Sequence, residues 1–303
     1  MKQSFTQRYR GKTAVLTTKH EKFRPIGKPI LAGLGMSLVC PEGIDTDSLG
    51  TFSGEIERTG TPLQTAVRKA RLGMSMTGLP FGFANEGSFA PHPQLFFIPA
   101  NQEFMVFIDD QLGIEIAERI VSTETNFAHA NVSSLADAEE YLSRVRFPSH
   151  GLIVRPHHED KSLIDKVGRA LWGGNSGTLI KGICDRALLA EAIDTCKAQS
   201  KDGLAQIETD MRAHMNPMRQ RVIRKVAIKL VRRLQRTCAE CDCPGWGITG
   251  AAGSLRCEEC GYPSPEAPAF EIHSCAKCSY SENVPRQDGV THVEATFCQR
   301  CNP

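Results

Sequence analysis

The first forty residues alternate between short β-branched runs and a longer stretch whose apolar residues recur every three or four positions. Thr13–Thr18 predicts a strand, and Phe23–Leu34 predicts a helix that ends at Gly35, a residue suited to a left-handed C-cap. Met36–Cys40 predicts a second strand. A strand, a helix and a strand in this order imply a parallel pair with a right-handed crossover.

The same patterns continue further along the chain. They predict the helices Thr61–Thr77, with Pro62 in its first turn, and Arg186–Ala198, and the strands Phe81–Ala84, Leu95–Ile98, Phe104–Ile108 and Gly151–Arg155. Residues 109–113 predict a turn, and residues 112–120 either continue a β-meander or begin a helix. We therefore expect an α/β fold in which a mixed, twisted sheet is flanked by helices.

Four Cys-x-x-Cys pairs follow one another near the end of the sequence: Cys238 and Cys241, Cys257 and Cys260, Cys275 and Cys278, and Cys298 and Cys301. Two residues between thiolates allow both sulfurs to reach one zinc ion. Four thiolates complete a tetrahedral shell and leave no position for water, so such sites are structural. The spacing predicts two zinc ions, one bound by the first two pairs and one by the last two.

A disulfide framework is the alternative interpretation of a chain with twelve cysteines. The first twenty residues lack the apolar core of a signal peptide, and no stretch approaches the roughly 20 apolar residues of a membrane span. We therefore expect a reduced, cytoplasmic protein that binds zinc and no membrane. Cys243 would be a spare thiol or alternative ligand, and Cys40, Cys184 and Cys196 would be small core residues.

The cysteine-rich segment has too few apolar residues to form a core of its own. Ordering a residue costs about 1–2 kcal/mol, so this segment should depend on metal. We expect an α/β domain over residues 1–236 and a zinc-ribbon-like domain over residues 237–303. Because the core pattern ends at Leu234, the first domain should fold alone. Basic and stacking aromatic residues are few in the second, which favours protein contact over tight nucleic-acid binding.

A strongly basic helix precedes the cysteine pairs. From Arg212 to Arg236 there are nine Lys or Arg residues and no acid, while Ile223, Ala227 and Leu230 recur at helical spacing. One face should therefore be buried. The basic face is either a solvated surface or a surface that binds phosphate or nucleic acid.

Three polar segments are candidates for chemistry. Thr17, Thr18 and Lys22 surround a predicted helix N-terminus, which favours an anion, although an ordinary N-cap with solvated lysines has the same pattern. The second segment runs from Glu55 and Glu57 to Thr61 and leads into the helix that bears Lys69. The third is Asn85-Glu86-Gly87-Ser88, directly after an apolar strand. There a carboxylate followed by glycine suits a divalent cation beside phosphate, although the four residues also suit a plain turn.

Two further polar segments are weaker candidates. Residues 173–177 are glycine-rich but lack Walker or dinucleotide-binding spacing, which favours a flexible loop. Residues 157–160 (HHED) could bind a metal, but adjacent ligands on a charged loop more often face water.

Three of these segments carry a family resemblance in the same order. Leu16–Lys22 (LTTKHEK) is similar to A-T-[TG]-N-x-x-K, Glu57–Ala70 (ERTGTPLQTAVRKA) to E-x-G-x-T-x-x-x-N-A-x-x-K-A, and Leu79–Phe89 (LPFGFANEGSF) to a strand ending in D-D-S-G or I-E-x-G. Over roughly its first 110 residues, the chain resembles the inosine triphosphate pyrophosphatase-like superfamily of house-cleaning nucleotide pyrophosphatases. The resemblance implies an α/β fold with a nucleotide pocket.

The resemblance also implies roles for particular residues. Glu86 takes the position of the family's carboxylate, and Arg212, His214 and Arg219 lie where the family often keeps an S-H-R base-recognition element. The implied catalytic residues are Glu86, Glu57, Lys22 and Lys69, and the implied phosphate- or nucleotide-binding residues are Thr17, Thr18, Thr61, Gly87, Ser88, Arg212, His214 and Arg219. Mg²⁺ or Mn²⁺ would be held by Glu86 with Glu57 or Glu55, and the substrate would be a nucleoside triphosphate cleaved between its α- and β-phosphates.

The chain departs from this pattern in three places. Thr65 replaces the usual asparagine of the helix, Leu63 and Gln64 replace acids before it, and Asn85 replaces the first of two aspartates. The cysteine-rich segment is not typical of the superfamily either. The whole layout looks like a bacterial family of unknown function.

A second interpretation remains beside the hydrolase. In it the protein is a non-catalytic binder of a nucleotide or nucleic-acid end, and its zinc ribbons contact RNA, DNA or protein. Two or more converging acids favour hydrolysis, and one favours binding. In both cases Thr18, Lys22, Glu57, Lys69 and Glu86 should converge on one cleft. A homodimer is one expected form of the protein.

Overall fold

The computed structural model describes residues 8–19, 21–41, 43, 60–93, 95, 97–157 and 178–303. Within these ranges the chain forms five α-helices: α1 (Phe23–Leu34), α2 (Pro62–Thr77), α3 (Glu139–Val145), α4 (Arg186–Lys197) and α5 (Pro217–Leu234). None of these helices is long and apolar enough to cross a membrane. The molecule is an α/β protein with several sheets, followed by a cysteine-rich segment.

The largest sheet contains five strands in the order β2-β1-β3-β4-β5. They are β1 (Thr13–Thr17), β2 (Ser37–Val39), β3 (Phe81–Pro91), β4 (Pro99–Asp109) and β5 (Ile114–Ser122). β1 pairs in parallel with β2, as the strand-helix-strand pattern predicts, and also in parallel with β3. β3, β4 and β5 form an antiparallel meander, so residues 112–120 continue the sheet and do not begin a helix.

Alternation along the strands gives this sheet two differently covered faces. Phe83 and Phe107 pack into the core formed with α1 and α5, whereas Ala84 and Val106 pack against α2. The helices α1 and α5 lie side by side and point the same way. Their C-terminal ends meet where Gln235, the C-cap of α5, donates to the carbonyl of Gly33 at 2.9 Å.

A second sheet has the order β6-β9-β7-β8 and is antiparallel throughout. Its strands are β6 (His129–Val132), β7 (Leu152–Pro156), β8 (Ile180–Ile183) and β9 (Ala205–Thr209). One face packs against α3 and α4 in a core of its own. The sequence pattern anticipates β7 and α4 but neither β6 nor β9, whose short runs mix polar and apolar residues.

Local signals explain where the helices begin and end. Thr61 caps α2 through a reciprocal capping box with Gln64, and Pro62 occupies the first turn. Asn216 caps α5 by accepting from the backbone N–H of Arg219 at 2.9 Å. The basic helix therefore starts at Pro217, since the residues from Arg212 to Asn216 form a 3-10 turn and its flanks.

Two predictions about the meander are wrong. Residues 85–88 are neither a turn nor a strand end, because β3 runs without interruption from Phe81 to Pro91 and pairs with β4 over its full length. The predicted strand Leu95–Ile98 is the connection between these two strands, where the backbone N–H of Ile98 bonds the carbonyl of Leu95. A long antiparallel partner stabilises polar residues in a strand conformation that their propensity alone disfavours.

The cysteine-rich segment folds into two small sheets with the orders β10-β13-β14 and β12-β11-β15. The first contains β10 (Gly247–Ala252), β13 (Phe270–Ser274) and β14 (Ser281–Pro285), and the second contains β11 (Leu255–Cys257), β12 (Pro263–Ser264) and β15 (His292–Val293). The segment is not separate from the α/β core. Cys238 and Cys243 are buried in the same cluster as Leu234, and Trp246 and Tyr280 pack against that cluster.

Candidate functional site

The candidate site lies at the carboxyl end of β1. This strand ends at Thr17, which pairs with Ala84, whereas β3 continues to Pro91. Past Ala84, one edge of β3 therefore has no pairing with β1. Lys22 lies at this edge, and its Nζ donates to the carbonyl oxygen of Asn85 at 3.2 Å. Ligands of open α/β sheets commonly bind outside the carboxyl ends of parallel strands.

Lys22 is an amine in an unfavourable place for a charge. Its side chain is 5% exposed, and burial together with the nearby guanidinium of Arg219 lowers its pKa to about 7, although Glu86 and Glu103 act in the opposite direction. The ordinary value for lysine is 10.5. A buried cation of this kind is stabilised when an anion binds beside it.

Two buried ion pairs surround Lys22, one on each face of the sheet. On the α2 face, the Nζ of Lys69 lies 2.7 Å from Oε2 of Glu86. On the α5 face, Nε of Arg219 lies 2.8 Å from Oε1 of Glu103. These five residues are hereafter called the Lys22 cluster. All are at most 8% exposed, and the three cations outnumber the two carboxylates.

The structure therefore brings together Lys22, Lys69, Glu86 and Arg219, four of the residues singled out from the sequence. It adds Glu103, which the sequence analysis missed. An acid within the apolar strand β4 was the available signal, since buried carboxylates are rare unless they are paired.

Asn85 links the two strands of the hairpin inside this cluster. Its Nδ2 donates to Oε2 of Glu103 at 3.0 Å and to the carbonyl of Phe104 at 2.8 Å. Among the residues that the structure describes, its buried Oδ1 and the buried hydroxyls of Thr17 and Thr65 have no hydrogen-bond partner. Buried polar atoms are nearly always satisfied by protein, water or ligand, so these three positions point to a bound molecule or to ordered water.

Gly87 is a glycine for a steric reason. A Cβ at this position would lie 2.6 Å from Nη2 of Arg219 and 2.6 Å from Oε1 of Glu103. The absence of a side chain allows this ion pair to lie directly against the backbone of β3. Glycine is predicted here to admit phosphate; in the structure it admits the guanidinium.

The N-termini of α1 and α5 both point toward the Lys22 cluster. Lys22 is the N-cap of α1, Arg219 is in the first turn of α5, and neither helix has an acid in its first turn. No side chain caps α1, but the backbone N–H of Arg24 bonds the carbonyl of Glu21 at 3.2 Å and Pro25 has no N–H, so α1 acts on the cluster through its dipole. Two helix N-termini add positive potential to a cluster that already has an excess of cations.

The other predicted contacts are more dispersed. Thr61 is exposed and its hydroxyl is engaged as the cap of α2, Thr18 donates to the carbonyl of Lys19, and Ser88 is half-buried within β3. Glu57 and Glu55 lie outside the described residues, as do residues 173–177 and 158–160. The structure thus places the predicted lysines and Glu86 together but gives Thr61 a capping role.

Arg212 and His214 lie at the 3-10 turn between β9 and α5. Arg212 is held by two hydrogen bonds from Nε and one from Nη2 to the buried carboxylate of Asp210. Burial and the charge of Arg212 lower the pKa of His214, against the opposing effects of Asp210 and Glu21. Since Glu21 is the sequence neighbour of Lys22, His214 lies within electrostatic range of the loop that bears Lys22.

Among the residues that the structure describes, the side chains around Glu86 do not form a binding site for a divalent cation. Glu86 is neutralised by Lys69, and Glu103 is on the opposite face of the sheet, where Arg219 neutralises it. In the described part of the chain, the groups of three or more convergent Cys, His, Asp or Glu ligands are the two cysteine clusters. A Mg²⁺ or Mn²⁺ ion at Glu86 would have to displace Lys69.

The eight cysteines of the Cys-x-x-Cys pairs form two groups of four, and each group could hold a metal ion such as zinc. Within each group the ligand atoms lie within 4.8 Å of one another. The Sγ–Sγ distances are 3.7 and 3.5 Å in one and 3.9 and 3.6 Å in the other. A tetrahedral site with Zn–S of about 2.3 Å requires about 3.8 Å, whereas a disulfide requires about 2.05 Å. All twelve cysteines are free, so the disulfide alternative fails.

The predicted partition of the cysteines is wrong. The first cluster joins Cys238 and Cys241 to Cys275 and Cys278, and the second joins Cys257 and Cys260 to Cys298 and Cys301. The pairs alternate between the clusters, so the two units are interleaved and not arranged in series. Spacing of neighbouring pairs could not reveal this, because every pair of knuckles has the same local geometry.

The two clusters differ in their surroundings. Cys238 is fully buried, and Cys275 and Cys278 pack against the α/β core, whereas that core includes no ligand of the second cluster. Phe297, beside a ligand of the second cluster, is 75% exposed. The first cluster is therefore part of the α/β core, and the second is peripheral.

The basic face of α5 is partly neutralised. Lys225 pairs with Glu124, and Lys229 and Arg233 both pair with Glu118 of β5. Other cations of this helix are exposed, namely Arg221, Arg224 and Arg232. Much of the charge run thus fastens the helix to the sheet, as a solvated or structural face would do.

Comparison with known proteins places the chain in a family. Residues 69–303 match the model of DUF6671, a domain of unknown function. The match covers more than half of the sequence, so the chain belongs to this family. No curated protein matches the chain.

Proposed function

We propose that this protein binds the phosphate groups of a nucleotide at the carboxyl end of β1. The observation that carries the proposal is the convergence of three buried basic side chains, Lys22, Lys69 and Arg219, on a site to which the described part of the chain contributes two carboxylates. Burial strengthens electrostatic attraction to an anion because the local dielectric is low. The N-termini of α1 and α5 act in the same direction.

The lowered pKa of Lys22 supports an anion as the missing component. The pKa of the Lys22 amine is about 7, so close to neutral pH it is only partly charged. A phosphate dianion beside this amine would stabilise the ammonium and raise its pKa. Binding should then take up a proton, and affinity should fall as the pH rises above about 7.

A nucleoside triphosphate is the class of ligand we infer. The resemblance of residues 16–22, 57–70 and 79–89 to house-cleaning nucleotide pyrophosphatases supports this class. His214, which lies within electrostatic range of the loop that bears Lys22, would contact the remainder of the nucleotide together with Arg212. Hydrogen bonds that Arg212 donates to the carboxylate of Asp210 fix the orientation of its guanidinium before the ligand arrives.

Hydrolysis between the α- and β-phosphates is the second candidate function. It is favoured by the two carboxylates, Glu86 and Glu103, that both act on Lys22. The ion pair of each with its own cation favours binding over hydrolysis, and no step through a divalent metal follows from this donor set. Glu86→Gln separates the candidates, because a binder retains affinity for the nucleotide whereas a hydrolase loses turnover.

The test is a calorimetric titration of the purified protein with a panel of purine and pyrimidine nucleoside triphosphates, with and without Mg²⁺ or Mn²⁺. Pyrophosphate release is measured in the same samples. Lys22→Met should weaken binding at least about tenfold, the loss expected for a desolvated charge-assisted contact. Lys28→Met, on the exposed face of α1, is the matched control and should bind like the wild type. If no nucleotide binds to the wild type, the proposal is wrong.

We propose that the two cysteine clusters bind zinc and that the segment they stabilise contacts a protein partner. From residue 237 to the end there are nine acidic residues and four Lys or Arg, and each zinc with four thiolates adds two negative charges. A negatively charged module repels nucleic acid, so a protein partner is favoured. Elemental analysis should give about two zinc ions per chain.

A further inference from the structure

The first cysteine cluster and the Lys22 cluster lie at opposite ends of the same two helices. At one end, Gln235 of α5 bonds Gly33 of α1, and Cys238 follows within the same core. At the other end, α1 begins after Lys22 and α5 carries Arg219 in its first turn. An α-helix of 18 residues is about 27 Å long, which separates the two clusters along α5.

A loop from the first cysteine cluster clamps the last turn of α5. The backbone N–H groups of Gly245 and Trp246 both bond the carbonyl of Arg236, at 2.9 and 3.1 Å. Arg233 returns the contact, since its Nε donates to the carbonyl of Gly245 and its Nη1 to that of Ala117 in β5, both at 3.0 Å. The loop therefore fastens α5 to the edge of the main sheet.

Close packing fixes the position of this loop. A Cβ on Gly245 would lie 1.9 Å from Cδ1 of Ile116, and the φ angle of this glycine is +96°. Trp246 stacks on Tyr280, and their ring centroids are 5.2 Å apart. Tyr280 lies two residues after the cysteine ligand Cys278. The metal cluster thus holds the loop from both of its Cys-x-x-Cys pairs.

At the far end of α5, Arg219 depends on the placement of the helix. Its guanidinium bonds Glu103, bonds the carbonyl of Met211 and lies over the ring of Phe89 at 5.3 Å. Arg219 is also the charged group that contributes most to the lowered pKa of Lys22. A small displacement of α5 would therefore change the contacts of Arg219 and its effect on the pKa of Lys22 at the same time.

We propose that the metal ion of the first cysteine cluster is a positioning element of the anion site, whereas the metal ion of the second is not. Metal at the first cluster holds α5 against the sheet and so keeps Arg219 beside Lys22 and Glu103. This inference rests on the proposed phosphate-binding function. It assigns the two metal centres of one segment to different tasks.

The test compares one exposed ligand of each cluster in the full chain. Cys241→Ser and Cys301→Ser should each lose one zinc ion by elemental analysis. Calorimetric titration with inorganic tripolyphosphate should show at least about fivefold weaker binding for Cys241→Ser and no change for Cys301→Ser. Cys241→His retains a zinc ligand at this position. It should restore both the zinc ion of the first cluster and the affinity for tripolyphosphate.

The pH dependence of binding separates positioning from general loss of structure. Arg219 lowers the pKa of Lys22, so its withdrawal should shift the midpoint of the affinity profile of Cys241→Ser to higher pH. If the substitution only unfolded a fraction of the molecules, the remaining folded molecules would show the wild-type midpoint in the pH profile of affinity. Arg233→Met removes the clamp and leaves all cysteines in place, so it should retain two zinc ions and show the same shift; Arg232→Met is its exposed control.

Equal affinities and equal pH profiles for Cys241→Ser and Cys301→Ser would overturn this inference. If Cys241→Ser does not fold, the Arg233→Met result decides, and wild-type binding by that variant overturns the inference as well. If the wild type itself binds neither tripolyphosphate nor nucleotides, the proposed function fails first. That outcome is recognised before any variant is compared.

Discussion

Replacing Lys22 by methionine should stabilise the protein while it weakens anion binding. The folded-state pKa of Lys22 is about 7 against an ordinary value of 10.5. A displacement of this size corresponds to at most about 5 kcal/mol of unfavourable folding free energy, since each pKa unit is worth about 1.36 kcal/mol. Methionine keeps the length of the side chain and removes the buried charge.

The pH window follows from the direction of the displacement. Below pH 7 the amine of Lys22 is charged in both the folded and the unfolded state. The full free-energy cost of burying this charge therefore lowers the stability of the wild type there. Between pH 7 and 10.5 the folded amine loses its proton while the unfolded amine keeps it, and wild-type stability rises by about 1.36 kcal/mol per pH unit. Lys22→Met also loses the hydrogen bond to Asn85, worth about 1 kcal/mol.

We therefore expect Lys22→Met to be more stable than the wild type by about 2–4 kcal/mol at pH 6. This advantage should shrink by about 2 kcal/mol by pH 8.5, that is, by 1.36 kcal/mol for each unit above 7. Urea unfolding followed by circular dichroism, at constant zinc concentration, measures both values. Contributions of the metal clusters cancel because they are common to both proteins.

Lys28→Met is the control, because Lys28 is exposed on the same helix. Its stability relative to the wild type should not change with pH. The reasoning is refuted if Lys22→Met is less stable than the wild type at pH 6, or if its advantage is the same at both pH values. A residue that destabilises the free protein but is required for binding is typical of a functional site.

Three further predictions concern the framework of the site. Gly87→Ala should lower the thermal midpoint and weaken tripolyphosphate binding, because its methyl group would displace Arg219; an unchanged midpoint would show that the backbone yields at no cost. Asn216→Ala should cost about 1–2 kcal/mol in urea unfolding, since α5 loses its cap and Asn126 loses a partner, whereas Asn216→Asp should keep the cap. Truncation before Thr237 should lower the cooperativity of unfolding because Cys238 and Cys243 are part of the core; a fragment as stable as the full chain would contradict this.

The sequence by itself determined the elements that depend on near neighbours. The helix Phe23–Leu34 and its end at Gly35, where φ is +65°, follow from apolar spacing and from the conformational freedom of glycine. The start of α2 follows from the capping residue Thr61 and from Pro62. The cysteines were recognisable as metal ligands because each pair forms a knuckle within four residues.

The tertiary structure decided how distant segments combine. The partition of the cysteines depends on how the chain folds back, since each pair could join any other with equal local geometry. Likewise, Asn85 and Glu86 have turn-like and polar neighbours but lie within a strand because β4 pairs with them. Cross-strand pairing is a long-range contribution, and local propensity contains no information about it.

The Lys22 cluster shows the same division. Lysines at residues 22 and 69 and the carboxylate at residue 86 were identifiable from order and spacing, because each follows or precedes a recognisable element. The ion pair between Glu103 and Arg219 was not identifiable from the sequence, since these two residues are 116 positions apart and meet only when α5 packs across β4. Sequence patterns reveal which groups can carry charge, whereas the balance between attraction and desolvation is fixed only when packing brings those groups out of water.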